Sequence, residues 1–391
     1  MISRLLLAAA LVVIFDQHGV RVEGPLLPAR TLTTSAPKTA PLRQKIPSQE
    51  FGRIIERLSE PNGYFDTDNL ISNEASYLHV LGKLRRMQVS GGGYIGVGPD
   101  QNFSYIAQIR PRIAFIIDIR RENLVEHLLF KALFSLARNR AEYLSLLVGR
   151  PIPEPVKGWD DKTIQQIVEQ LDRTPSQRAL LNSTGSSIRE RVKTFGVSLS
   201  PEEMQTLDRI REAFFESGLD LKFTSRNRSA RSYYPTYREL LLERDLTGRQ
   251  ANYLNSEEDF RFLKSLEENN LVIPVVGDLA GVHALSAIGQ FMTERGEHVS
   301  AFYTSNVEFY VMRQERFENF VANLKRLPYD NRSVIIRSYF MGSYGYSHPQ
   351  AIAGYYSSQL LQTIESLVKE SDSGGYQSYF DLVSKHSLEL K

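Results

Sequence analysis

Residues 94–123 read YIGVGPDQNFSYIAQIRPRIAFIIDIRREN. The first five residues predict a short buried strand that runs into a glycine turn, and residues 103–110 predict a helix that directs Ile106 and Ile109 inward. Pro111 ends this helix, and the apolar run at 114–119 is typical of a parallel strand that is covered on both faces. A strand, a glycine turn, a helix and a second strand within about thirty residues indicate a βαβ unit.

The same alternation of helices and strands continues on both sides of this unit. Amphipathic helices are predicted at 51–58, 69–87, 122–147, 282–295 and 317–327, and apolar strands at 271–276, 299–303 and 333–336. Five strands that are separated mostly by helices predict an α/β fold with a doubly wound, mostly parallel sheet.

Residues 151–235 interrupt the α/β pattern. They begin with three prolines within five residues and then carry helix signals. The strongest is Ser200 at a cap position, followed by Pro201 and by Glu203 at the third helical position. We therefore predict a mainly helical insertion at 151–235, between a first part of the α/β domain at 49–150 and a second part at 236–391.

The N-terminal residues have the pattern of a targeting segment. Arg4 precedes an apolar run at 5–15, which has the length of a signal-peptide core and is too short to span a bilayer comfortably. Residues 24–48 contain five prolines and no acid, as in an extended linker. We predict a signal peptide or N-terminal anchor at 1–23 and export to the periplasm or the extracellular space. The alternatives are a buried N-terminal helix or a wrongly assigned start, in a cytoplasmic protein.

The composition excludes several classes of chemistry. The chain has no cysteine, which excludes disulfides, a thiolate nucleophile and a cysteine-ligated zinc site. The seven histidines are scattered without the spacing of metal ligands on one helix, so we predict no metal. Apart from the N-terminal segment, no apolar run predicts a membrane span. No pattern indicates an oligomeric state.

Residues 222–238 form a basic segment that is rich in aromatic residues and contains no acid. Such a segment can bind single-stranded nucleic acid. The formal net charge of the whole chain is only +2, which argues against nucleic acid as a partner. A mobile solvated loop, or a lid over an anionic ligand, is the favoured interpretation.

Distinctive polar residues follow the predicted strands. In open α/β sheets, ligands bind at the C-terminal ends of the strands, near the point where the strand order reverses. Gly96 and Gly98 end the first strand, and Gln101 and Asn102 follow it. Asp118 is near the end of the second strand, Asp278 ends the third, and Asn306 and Glu308 follow the fourth. The sequence therefore predicts a small-molecule ligand at the C-terminal edge of the sheet.

Each of these residues also has a purely structural interpretation. The two glycines suit a tight turn without a ligand, and Gln101 and Asn102 suit the cap of the following helix. Asp118 suits a helix cap or a partner for one of the two arginines that follow it.

The residues after the third and fourth strands are equally open to both interpretations. Asp278 suits the cap of a helix that starts near Gly281. Asn306 and Glu308 suit a turn. As catalytic residues, this amide and this carboxylate would orient a substrate nucleophile or take its proton.

The arrangement resembles class I, Rossmann-like methyltransferases that use S-adenosylmethionine. In that family a glycine turn approaches the amino-acid part of the cofactor, an acid after the second strand holds the ribose hydroxyls, and a Gly-Asp-type pair after the third strand contacts the adenine side. The resemblance implies these roles for the turn at Gly96 and Gly98, including Gln101 and Asn102, for Asp118 and for Asp278.

Three segments are similar to an uncharacterised bacterial family that is distantly related to those methyltransferases. They are residues 72–74, which read SNE, the run from 96–102 through 118–123, and residues 302–308, which read FYTSNVE. Two positions depart from the methyltransferase pattern. Gly93 and Tyr94 stand where an acid is usual, and Gln101 stands where a third glycine is frequent.

Two functions therefore remain open. One is an S-adenosylmethionine-dependent methyltransferase of unknown acceptor, with Asn306 and Glu308 on the acceptor side. The other is an exported, non-catalytic binding or structural protein that keeps the fold without the chemistry. The cofactor is made in the cytoplasm, so export argues against the first function.

Overall fold

The computed structural model describes residues 45–226, 231–340 and 345–391. The predicted signal peptide at 1–23 and the first part of the predicted linker lie outside these residues. One sheet contains six strands, β1 Gly93–Val97, β2 Ile113–Asp118, β3 Val272–Val276, β4 Val299–Ser305, β5 Tyr329–Phe340 and β6 Ser357–Thr363. The α/β fold with a mostly parallel sheet is therefore confirmed.

The strands lie in the order β3-β2-β1-β4-β5-β6. Neighbouring strands are parallel except β5 and β6, which are antiparallel. In the middle of the sheet, Gly96 lies opposite Ile116 on one side and Tyr303 on the other. The chain passes outward from β1 to β3 and then returns to β4 on the other side of β1. The strand order thus reverses between β1 and β4, where open α/β sheets form a crevice.

The two strands of the βαβ unit are apolar because both are covered. Every residue of β1 is buried, as are the first five residues of β2. Pro274 lies within β3, which pairs only with β2 and is an edge strand. A proline is tolerated in an edge strand because the N–H that it lacks is not needed for a hydrogen bond to a neighbouring strand.

Fifteen α-helices occur in the described ranges. They are α1 Ser48–Leu58, α2 Leu81–Arg86, α3 Gln101–Ile109, α4 Arg121–Leu136, α5 Arg140–Val148, α6 Ile164–Arg173, α7 Arg178–Lys193, α8 Pro201–Ser217, α9 Tyr237–Leu242, α10 Glu257–Glu268, α11 Ala284–Glu294, α12 Val307–Arg313, α13 Phe317–Leu324, α14 Ile364–Asp372 and α15 Tyr379–Ser384. Short 3-10 helices cover Val156–Trp159 and Gly218–Asp220. None of the helices in these ranges has the length and apolarity that a membrane span requires.

Two predicted helices differ from the structure. The single helix predicted at 122–147 is two helices, because Ala137 is extended and the Asn139 side chain caps α5 by accepting from the Glu142 N–H. The helix predicted at 69–87 is helical only from 81 to 86. Its first part is irregular, and Glu74 within that part is buried among side chains of β4, β5 and β6.

Residues 156–220 contain only helices as regular structure, and α7 and α8 of this segment pack against α4. Helix α8 begins as its sequence predicts. Ser200 and Glu203 form a reciprocal capping box, and Pro201 occupies the first helical position. The division of the chain into two domain parts and an insertion stays a prediction.

Candidate functional site

A cavity of about 610 Å³ lies at the C-terminal ends of the parallel strands. The predicted site residues on its wall are Gly98, Gln101, Asp118, Asp278 and Asn306. They come from the ends of four strands that are far apart in sequence and adjacent in the sheet. Gly96, Asn102 and Glu308 are not on the wall of this cavity.

Gly96 and Asn102 lie below the cavity and build the glycine turn. The Asn102 Nδ2 donates to the carbonyl oxygens of Val97, Gly98 and Pro99 at 2.9, 3.3 and 2.8 Å. Its Oδ1 accepts from the Tyr94 hydroxyl at 2.7 Å. All the polar atoms of this buried side chain are therefore engaged within the protein.

The turn itself opens toward the cavity at Gly98. This glycine has φ of +85°, a conformation that side chains rarely adopt. A Cβ added here would lie 3.3 Å from Asn69 Nδ2 and 3.5 Å from Gln101 Nε2. The backbone at Gly98 can thus be approached closely by a ligand.

Gln101 has one satisfied and one unsatisfied end. Its Nε2 donates to the Tyr303 hydroxyl at 3.3 Å. Its Oε1 is buried and has no hydrogen-bond partner in the described part of the chain. Eleven buried side-chain atoms in the described ranges lack a partner, and of the residues that carry them only Thr67 and Gln101 line the cavity. A bound molecule is one explanation for such an atom in a cavity wall.

Asp118 is held by Arg120. Its Oδ1 accepts from the Arg120 backbone N–H at 2.9 Å and from Nε at 3.1 Å, and its Oδ2 accepts from Nη2 at 3.0 Å. Arg120 also donates to the carbonyl oxygens of Thr67 and Asp68, which connects the second strand to the loop before α2. The ion pair with Arg120, one of the structural interpretations of Asp118, is therefore present.

Asp278 is also paired, and a different acid caps the helix that follows it. Its Oδ2 accepts from Arg316 Nη1 at 2.6 Å, and its Oδ1 accepts from the Ala280 N–H at 2.9 Å. At the start of α11, Glu60 Oε1 accepts from the backbone N–H groups of His283 and Ala284 at 2.7 and 2.9 Å. The helix-capping role considered for Asp278 thus belongs to Glu60.

The two predicted catalytic residues are separated by the start of α12. Asn306 precedes this helix and lies on the cavity wall. Glu308 is 1% exposed and forms an ion pair with the fully buried Arg337 of β5, with Oε2 2.6 Å from Nε. Arg337 also donates to Gln362 on β6 at 2.8 Å. Glu308 therefore has a structural partner and does not reach the cavity.

The acid that does reach the cavity beside Asn306 is Glu74. Its Oε2 accepts hydrogen bonds from the Tyr303 hydroxyl at 2.6 Å, from Gln359 Nε2 at 2.9 Å and from the Ser338 hydroxyl. Its Oε1 accepts from the Ser305 hydroxyl. Its position inside the SNE segment was the one available sequence signal for this residue.

Aromatic side chains form much of the outer wall. Tyr233 and Tyr356 are stacked, with ring centroids 3.6 Å apart and planes at 20°. Phe65 meets Tyr310 edge to face at 5.0 Å. The basic, aromatic segment at 222–238 contributes Phe223 and residues 231, 233 and 234 to this wall. That segment therefore borders the same cavity as the strand ends.

A buried polar group supports the glycine turn from below. His127 Nε2 donates to the Gly98 carbonyl at 2.9 Å, and burial lowers the pKa of His127 to about 4. Asp100 Oδ2 accepts from the hydroxyls of Tyr237 and Tyr253 at 2.8 and 3.0 Å. Burial raises the pKa of Asp100 to about 6. The turn thus rests on an imidazole that is neutral at pH 7 and on a carboxyl group that holds its proton more tightly than an ordinary aspartate does.

Comparison with known proteins identifies a family but no activity. In the described residues, no group of three or more histidines and acids is arranged to hold a metal ion. A search of curated proteins found no match to this chain. A family model described as a domain of unknown function, DUF7790, matches residues 70–384 of the 391. The match spans the entire sheet and all of the cavity wall except residues 64–67 and 69, and the chain belongs to the DUF7790 family.

Proposed function

We propose that the cavity binds S-adenosylmethionine and that the protein is a methyltransferase of unknown acceptor. One observation carries the proposal. The Gly98 turn, Asp118 and Asp278 lie at the ends of three adjacent parallel strands and line one cavity, which extends to Asn306 after β4. This is where open α/β sheets bind nucleotide-like ligands.

The residues on the wall fit such a ligand. The volume of about 610 Å³ lies within the range of sites for small molecules and cofactors. Gly98 leaves its backbone open to close approach, and the unpaired Oε1 of Gln101 requires a hydrogen-bond donor. The amino-acid part of the ligand would therefore lie beside Gly98 and Gln101.

Asp118 would hold the ribose hydroxyls, in spite of its ion pair. Oδ2 accepts one hydrogen bond, from Arg120, and a carboxylate oxygen can accept another. The guanidinium group fixes the orientation of the carboxylate, which reduces the entropy lost when a ligand binds. Asp278 would contact the adenine side, where each of its oxygens accepts one hydrogen bond from the protein and can accept another.

The ligand supplies a methyl group on a positively charged sulfur. The side chains of this protein would act mainly by positioning the acceptor in line with that group, since little other assistance is needed. Asn306 would orient the nucleophilic atom of the acceptor through its amide. The aromatic wall, including Tyr310 and the Tyr233–Tyr356 stack, would exclude water from the site.

A second candidate is a non-catalytic binding or structural protein. The observation that favours it is that three predicted site acids, Asp118, Asp278 and Glu308, are each paired with an arginine. Such pairs are frequent in sites that serve stability alone. Export would favour the same candidate and stays a proposal. N-terminal sequencing of the protein from separated cell fractions would test it, because a protein that retains Met1 in the cytoplasm excludes export.

Calorimetric titration of the full-length protein separates the two candidates. We expect S-adenosylmethionine and its demethylated product, S-adenosylhomocysteine, to bind saturably at one site. A melting curve must show in parallel that the sample is folded. If a folded sample binds neither compound at millimolar concentration, the methyltransferase proposal fails and the non-catalytic one leads.

A further inference from the structure

We infer that the floor of the cavity at Glu74 and Gln101 binds a protonated amino group of the ligand. The inference rests on the proposed ligand-binding role of the cavity and adds the chemical class of the group that is recognised. It requires only that a ligand enters the cavity, whether or not a methyl group is transferred.

The first observation is a buried carboxylate without a cation. Glu74 is 1% exposed, and its four hydrogen-bond donors are three hydroxyls and one amide, all uncharged. No lysine, arginine or histidine in the described ranges forms an ion pair with it. Four arginines line the cavity. Arg120 and Arg316 are paired with Asp118 and Asp278, and in the described ranges neither Arg231 nor Arg313 forms an ion pair with Glu74. A buried charge is strongly stabilised by an opposite charge, and the protein supplies none here.

The hydrogen bonds of Glu74 leave room for one more donor. Its Oε2 accepts three of them, whereas Oε1 accepts only the one from Ser305. A carboxylate oxygen has two lone pairs, so Oε1 keeps acceptor capacity. Glu74 lies on the cavity wall together with Ser305 and Asn306, so this residue borders the space that a ligand would occupy.

The second observation is the unpaired oxygen of Gln101. The Tyr303 hydroxyl donates its single proton to Glu74, so toward Gln101 it can only accept. Gln101 must therefore present its Nε2 to Tyr303, and its Oε1 is left as a buried acceptor without a partner, in a residue that lines the cavity. Gln101 is 5% exposed, so bulk water does not satisfy this oxygen.

These two acceptors belong to one chain of hydrogen bonds through Tyr303 and require the same kind of partner. An ammonium group has three N–H donors and a positive charge, so it can donate to an acceptor of this kind and also neutralises the carboxylate. A hydroxyl donates once and brings no charge. The aromatic rings of Tyr310 and Tyr379 line the same cavity and also favour a cation.

The ammonium group has two sources, the amino group of the proposed cofactor and an amine on the methyl acceptor. Pairs of probes distinguish them. S-adenosylhomocysteine carries the amino group, and 5′-methylthioadenosine keeps the nucleoside and the sulfur without it. Phenethylamine represents an acceptor with an alkylamine group and an aromatic ring, and 2-phenylethanol is its neutral counterpart.

The test is calorimetry with the full-length wild type, Glu74→Gln and the matched control Glu126→Gln. Glu126 is also a fully buried glutamate, it is not on the cavity wall, and burial raises its pKa well above the usual range, so glutamine mimics its neutral form. We expect Glu74→Gln to weaken the binding of an amine probe by roughly tenfold or more, and the binding of its neutral counterpart much less. Glu126→Gln should leave the affinities for both probes unchanged.

The pattern of losses identifies the source. If Glu74→Gln selectively loses affinity for S-adenosylhomocysteine, Glu74 binds the amino group of the cofactor. If it selectively loses affinity for phenethylamine, Glu74 binds an amine on the acceptor. If only phenethylamine binds, and does so through Glu74, the inference holds while the methyltransferase proposal fails. Equal changes for amine and neutral probes in a folded variant, or no binding of any probe, overturn the inference.

A second variant keeps the test decisive if Glu74→Gln does not fold. In Gln101→Met the new side chain has a similar size and lacks the unpaired oxygen. This variant should therefore also bind amine probes more weakly, and neutral probes about as well as the wild type. With the wild type alone, amine affinity should fall as the pH rises through the pKa of the amine, while the neutral probes stay unaffected. An amine probe whose affinity follows that of its neutral counterpart in both measurements contradicts the inference.

Discussion

Asn102 Oδ1 lies 1.9 Å from the point where a Cβ on Gly96 would be. The glycine in β1 therefore makes room for the amide at the start of α3, and that amide holds three carbonyl oxygens of the turn between them. The two residues act together to shape the cavity edge that presents Gly98, although neither lies on the cavity wall.

Gly96→Ala should destabilise the protein by about 1–3 kcal/mol, because the added methyl group collides with Asn102 Oδ1 and the Tyr94 hydroxyl. Urea unfolding measures the effect. Gly158→Ala is the control, since a Cβ there meets nothing within 4 Å and should change the stability little. Equal stabilities of the two variants would contradict the packing described for the turn.

Glu308→Gln should reduce the free energy of unfolding by about 3–5 kcal/mol, because it leaves Arg337 as a buried charge without its partner. Replacing both residues by apolar side chains should recover much of that loss. Chemical denaturation of the single and double variants decides this. A stable Glu308→Gln variant with impaired ligand binding would instead restore the catalytic role that the sequence suggested.

Asp118→Ala should weaken the binding of S-adenosylhomocysteine by roughly ten- to a hundredfold, because it removes hydrogen bonds to a charged group. Asp278→Ala should weaken this binding less, because the Asp278 side chain is 22% exposed and that of Asp118 is 11%, and a hydrogen bond is weaker where water has more access. Calorimetry compares both variants with Asp372→Ala, which removes an exposed acid paired with Lys325 outside the cavity. If all three bind equally, Asp118 serves only to hold Arg120.

Asp100 should make the protein less stable as the pH rises from about 4 to about 6. Burial raises its pKa from 3.8 to about 6, so the folded state holds this proton more tightly than the unfolded chain does. Asp100→Asn removes the effect. The stability of the variant relative to wild type should therefore increase across this range, by up to about 3 kcal/mol. Urea unfolding at several pH values measures it, and a pH-independent difference would be evidence against the raised pKa.

His127 should have the opposite effect over nearly the same range. Burial lowers its pKa from 6.5 to about 4, so the folded state releases this proton and gains stability as the pH rises from about 4 to about 6.5. His127→Gln keeps a donor for the Gly98 carbonyl and loses the titration. Its stability relative to wild type should decrease with pH, and a difference that increases instead would contradict the assignment.

The sequence was sufficient where the signals are local. The strands predicted at 94–98, 114–119 and 271–276 agree with β1, β2 and β3 to within about one residue, since apolar runs and glycine or proline breaks depend on neighbouring residues alone. The polar strand β6 was not predicted. It reads SSQLLQT, and Gln359 and Gln362 within it are buried because they bind Glu74 and Arg337, which are distant in sequence.

Only the tertiary structure decided which glutamate lies on the cavity wall near Asn306. Glu308 follows a strand end in the sequence, yet α12 turns it toward Arg337, 29 residues away. Glu74 has no strand pattern around it, and it reaches the end of β4 through contacts with Tyr303 and Ser305, about 230 residues later. Periodicity and turn residues determined the βαβ framework and the edge of the sheet where a ligand is expected. The partners of buried charges depend on how distant elements pack, and no local pattern encodes them.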